Sequence, residues 1–262
     1  MDPRALFAQH CDDLRRAAVE GGGVAVVEMI AGLPTFGERL VLYTLARQAL
    51  SPASGVPGAL DVLSDVADAA TGECEALLSL TSDPGSAQEL LRALHMLNFN
   101  LAADLADCWP DDDRPRETHH FERGLDAADY LLGPVFQGAV APRALANDHW
   151  VRGMHLLSLG RQDEAATCWD EALRHAREAA VRQGAPAGGP ESTLQVLLLE
   201  GYNGIAGFVR GDREGGAGRL AQAVADLRRR CEREDEAKEA LYLLAQLEKV
   251  RSRYASGMPA CA

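Results

Sequence analysis

Apolar side chains recur along this chain at steps of three and four residues, and no run alternates with period two, so the pattern predicts helices throughout. The rhythm is clearest in two stretches. Between Ser86 and Cys108, Leu90, Leu94, Leu97, Leu101 and Leu105 mark one face of a long helix that stops at Trp109-Pro110. Between Asn147 and Arg182 there are two stripes: Trp150, Met154 and Leu157 before Gly160, then Ala165, Trp169, Ala172, Ala176 and Ala179 after it. Glycine closes a helix C-terminus cheaply because it takes positive φ without strain, so Gly160 predicts the turn of a helical hairpin. The second stripe is built mostly of alanine, which lets a neighbouring helix come close.

The remaining segments follow the same logic. A helix over residues 3–20 is expected to stop at Gly21-Gly22-Gly23, and a short apolar segment, 24–31, leads into a helix near 36–50. The triple glycine lacks the lysine and Ser/Thr of a phosphate loop, so it reads as a helix break. SPASGVPG, residues 51–58, marks a connection. Helical pieces at 60–70 and 74–80 are expected to be interrupted by Thr71-Gly72, and Ser82-Asp83-Pro84-Gly85 closes this part. Phe121, Leu125, Ala128 and Leu132 place a helix over 117–133. A further hairpin, 194–230, turns at Arg210-Gly211-Asp212. Its many glycines mean either close backbone approach or a poorly formed hairpin, since each costs roughly 1 kcal/mol of helix stability against alanine. A last helix, 234–254, charged on its outer side, suits a cap. The division expected is 1–83, an N-terminal helical region, and 84–262, helical hairpins with a capping helix.

Gly124-Leu125, Ala172-Leu173 and Ala223-Val224 fall at matching places in three second helices, 48 and then 51 residues apart, which points to an internal repeat. The run Gly153, Leu156, Gly160, Asp163-Glu164-Ala165, Trp169, Ala172-Leu173 resembles a tetratricopeptide repeat, with departures at His149 and Arg152, where that repeat usually carries large apolar residues. The resemblance implies an all-α, TPR-like superhelix of stacked antiparallel hairpins that acts as a binding scaffold. It also implies a concave face lined by the first helix of each hairpin, where Asn98, Asn100, Arg152, His155, Tyr202 and Asn203 are the candidate partner-binding residues. Trp109, at a helix end beside a polar loop, is a possible anchor for a partner.

Charge narrows the partners. With 39 acidic against 26 basic side chains the chain carries −13, which disfavours nucleic acid and anionic membranes as partners and leaves protein or peptide surfaces open. Six widely spaced cysteines without a Cys-x-x-Cys resemble small core residues more than a disulfide framework, and no secretion signal or long apolar segment is visible, so a cytoplasmic setting is expected.

No His-Glu-x-x-His, Gly-x-Ser-x-Gly, Walker or Gly-x-Gly-x-x-Gly motif is present. The nearest constellation is His119-His120 with Glu117 and Glu122, near Cys108, Asp111-Asp112-Asp113 and His95. Adjacent helical histidines diverge by about 100°, so solvent-facing or capping roles are expected of them, with no metal or cofactor. The reading is a cytoplasmic scaffold that binds a protein or peptide partner without catalysis. The alternatives are a sensory module of the same architecture that binds a small molecule or signalling peptide, and a helical enzyme with its site between the N-terminal helices and the repeats.

Overall fold

The computed structural model describes residues 2–258. Every regular element among them is helical, and the chain divides into two units, residues 1–105 and 106–262.

The first unit contains α1 (Pro3–Ala31), α2 (Phe36–Ala49), α3 (Ala59–Leu80) and α4 (Pro84–Leu105). Asp2 caps α1, and Thr35 caps α2 in a reciprocal arrangement with Glu38, so both helix starts satisfy backbone donors that would otherwise lack partners. The triple glycine breaks the helix as expected: Gly22 leaves helical geometry, at φ 63° and ψ −151°, so α1 is two helical segments joined across a kink. A side chain at Gly23 would collide with Asp65, so glycine there lets α1 lie close on α3. The interruption expected at Thr71-Gly72 does not occur. Helix α3 runs through it, because burial of Val66, Ala67, Ala70 and Cys74 on either side outweighs the modest cost of one glycine. Helix α4 packs along α3, inside this unit, so the stretch expected to open the first hairpin of the repeats is paired with the N-terminal helices instead.

The second unit contains α5 (Thr118–Leu131), α6 (Pro142–Ser158), α7 (Gln162–Arg182), α8 (Leu194–Val209), α9 (Arg213–Arg230) and α10 (Ala237–Tyr254). Each helix from α5 to α9 packs on the next, and the tightest pairs are the hairpins α6–α7 and α8–α9. The two hairpins correspond at a fixed offset of 51 residues. Gly160 and Gly211 make the turns, at φ 77° and 98°, conformations that other residues rarely adopt. Gly153 on α6 leaves room for the Trp169 ring on α7, and its counterpart Gly204 on α8 meets the α9 backbone directly. A Cβ at Gly204 would stand 2.6 Å from Leu220 N and 2.9 Å from Gly216 O. The glycines of the second hairpin therefore serve close backbone approach. Trp169, Ala172, Leu220 and Ala223, the corresponding residues of α7 and α9, are all buried.

Helix α10 covers more than the end of the stack. Leu247 fills the space over Gly201, Gln246 Nε2 donates to Tyr202 Oη at 3.0 Å, and the Tyr254 and Ser158 hydroxyls are 2.7 Å apart. The helix thus reaches the first helix of both hairpins. It is also tied to the segment before α5: Lys249 Nζ donates to the carbonyls of Trp109 at 2.9 Å and Asp112 at 2.7 Å, Tyr242 Oη donates to Asp111 at 2.8 Å, and Arg253 pairs with Asp107. The unit's first and last segments are held together.

Candidate functional site

The residues that the repeat geometry would place on a binding face are mostly committed to packing. Asn98, buried on α4, donates to Leu94 O at 3.0 Å and to Thr71 Oγ1 at 3.2 Å, while Asn100 is half-buried beside Arg47 and Asp104. In the second unit, Arg152 donates to Asp129 on α5 and to Cys168 Sγ on α7, so it ties three helices together. His155 is fully buried, its ring lying where a side chain at Gly124 would stand. Tyr202 is fully buried between Trp150, Trp169 and Gln246. Asn203 donates to Trp169 O at 3.3 Å, a link from α8 to α7. Trp109 folds back, its ring edge against Trp150 at 5.7 Å and tilted over Tyr242 at 6.4 Å. His155 and Tyr202 present no surface to a partner while α5 and α10 are in place.

Elsewhere in the second unit the surface is hollowed. A cavity of about 490 Å³ opens among α6, the end of α7, the start of α8 and the start of α10. Its lining includes Ala179, Ala180, Leu198 and Leu243 together with Arg143, Asn147, Gln183 and Gln195. Gln195 Nε2 donates to Asn147 Oδ1 at 2.6 Å and to Arg143 O at 3.1 Å, which orients both amides at the rim. Thr193 caps α8 there. Arg230, 5% exposed, reaches Ser192 O and pairs with Glu236 at 2.9 Å, but its Nε, fully enclosed, has no partner. Burial of an arginine donor in that state is unfavourable unless something polar enters.

The residues that could take part in chemistry are placed against catalysis at Cys108. Burial pushes its thiol up to about 12, and a thiol that stays protonated is a poor nucleophile. His120 Nδ1 accepts from Glu117 N at 2.9 Å, closing the start of α5, and His119 sits outside it, 3.5 Å from Glu117. A grouping absent from the sequence reading lies within the first hairpin. His149 on α6 faces Glu171 and His175 on α7, with the two rings stacked at 5.6 Å and 15°. Burial pushes the His149 imidazole down to about 4, helped by His175, and burial followed by Arg174 lowers His175. The signal that could have revealed it is the i, i+4 spacing of Glu171 and His175, which sets both on one face of a helix. A search along single helices for paired histidines does not meet it. Among the described residues, no helix is long and apolar enough to cross a membrane. Compared with protein-family models, curated proteins and solved structures, the chain gives no match.

Proposed function

We propose that the second unit is a TPR-like helical-repeat scaffold that takes up a peptide segment of a protein partner, without catalysis, and that the cavity at Asn147, Gln195 and Arg230 is where the segment enters. The observation that carries this reading is the cavity's make-up: a lining that mixes apolar side chains with oriented amides, suited to an extended backbone, which offers donors and acceptors at regular intervals. The 51-residue correspondence of the two hairpins supports the repeat architecture, because successive units of one kind stack and leave their outer faces free. The acidic balance of the chain favours a neutral or basic partner.

A display selection of random peptides against the whole chain tests the proposal. Binders should lose affinity by about tenfold in Gln195→Ala and in Asn147→Ala, the scale of one or two lost hydrogen bonds. Selected peptides that bind both variants as tightly as the parent would place recognition elsewhere. A cavity of this size also suits the sensory alternative as a second reading. A small molecule retained by the purified chain in native mass spectrometry, and released from Gln195→Ala, would support that reading over the scaffold.

A further inference from the structure

We propose that His149, Glu171 and His175 bind one divalent transition-metal ion of the zinc class, bridging α6 and α7 inside the first hairpin. One ligand atom from each residue lies within 4.8 Å of the other two. Two imidazoles and a carboxylate are a donor set that zinc accepts, and the nitrogen majority selects it over magnesium or calcium, which prefer all-oxygen sites. Zinc bonds of about 2.0–2.2 Å put tetrahedral ligand atoms roughly 3.5 Å apart, so the cluster need contract by no more than about 1.3 Å, within reach of side-chain torsions.

Two independent features point the same way. Glu171 and His175 stand one turn apart on α7 and His149 faces them from α6, so the donors converge from two helices whose spacing the hairpin fixes. His175 Nδ1 lies 3.8 Å from the Glu178 carboxylate, but the Nδ1 atoms of both histidines are enclosed and make no hydrogen bond. Buried ring nitrogens ordinarily find one, and a metal ion would satisfy them with the proton carried on the other ring nitrogen. The charges nearby permit it. Arg174, which donates to Glu171 at 2.6 Å and lies 2.9 Å from His175 Nε2, is exposed and can turn to solvent. Arg152 is already held by Asp129, and Asp148 and Glu178 supply negative charge near His175. Three protein ligands leave a fourth position for water or for a partner's side chain.

The test uses the whole chain, stripped with a chelator and titrated with Zn²⁺ against a chromophoric competitor, then with Co²⁺ for its absorption spectrum. The expected result is one ion per chain and a Co²⁺ spectrum of nitrogen and oxygen ligation without a thiolate charge-transfer band. Affinity should fall at least about tenfold in His149→Gln and in Glu171→Gln. Zn²⁺ should also raise the melting temperature of the parent and not of either variant. Glu171 is partly exposed, so Glu171→Gln keeps the test decisive if His149→Gln folds poorly. Absence of stoichiometric binding, unchanged affinity in Glu171→Gln, or a thiolate band implicating a cysteine would each overturn the assignment.

Discussion

Glycine to alanine at two positions of the hairpin α8–α9 should act in opposite directions. In an exposed helix interior the substitution stabilises by roughly 1 kcal/mol, since alanine loses less backbone entropy on folding. Gly218 on α9 is exposed, and a Cβ there would meet no heavy atom within 4 Å, so Gly218→Ala should gain about 0.5–1 kcal/mol. Gly204 on α8 has the same intrinsic preference but no space. Its Cβ would stand 2.6 Å from Leu220 N and 2.9 Å from both Leu220 Cα and Gly216 O, well inside the 3.4 Å at which ordinary contact begins. These are backbone atoms on the buried face of α9, so the two helices must separate. Overpacking of this kind costs about 1–3 kcal/mol and should outweigh the propensity gain. The assay is urea denaturation followed by tryptophan fluorescence. It reports on the second unit alone, because Trp109, Trp150 and Trp169 all lie there. A Gly204→Ala variant as stable as Gly218→Ala would refute the close approach, and with it the correspondence between the hairpins.

The same assay checks three further expectations. Ala172, fully buried on α7, has no room for a larger side chain, so Ala172→Leu should cost roughly 1–3 kcal/mol. Tyr202→Phe removes the hydroxyl that accepts from Gln246 and leaves a buried amide donor short of a partner, for a cost of about 1–2 kcal/mol. Burial alone would raise the Asp112 carboxyl, but hydrogen bonds from Arg114 and Arg116 outweigh it and hold the group well below the usual carboxylate range. Its folded pKa therefore lies below its unfolded value near 4, so its contribution is present above about pH 4 and lost as pH falls below it. An acid titration of unfolding free energy should show that loss in the parent and a flatter profile in Asp112→Asn, which also starts about 1–3 kcal/mol less stable because buried Arg116 loses a charged hydrogen-bond partner.

The sequence was most legible where structure is decided locally. Gly160 and Gly211 turn the hairpins as their places after apolar stripes predict, and the alanine face of α7 lies buried. It was less legible where burial overrides propensity, as at Gly72. It was least legible for the site. A polar residue at a helical position such as Tyr202 or His155 gives no sign of whether solvent or another helix faces it. That depends on α10 for Tyr202 and on α5 for His155, each set by packing between residues distant in sequence. The trio His149, Glu171 and His175 was hidden for a related reason, since it spans two helices and no single periodicity contains it.

The position of α10 decides between the two faces on which a scaffold of this design could bind. A helix entering along α6 and α8 would have to displace Leu247 from Gly201, break the Gln246–Tyr202 and Ser158–Tyr254 hydrogen bonds, and free Lys249 from two carbonyls. Each buried hydrogen bond lost without replacement costs about 1–3 kcal/mol, so a partner would need to return several kcal/mol before gaining any net affinity. The cavity beside Gln195 asks for no such exchange. Its rim amides are already oriented. Binding there leaves α10 in place, so the affinity of a peptide for this chain should be insensitive to Gln246→Ala and sensitive to Gln195→Ala. The opposite pattern would mean that α10 moves aside and the covered face is the one that binds.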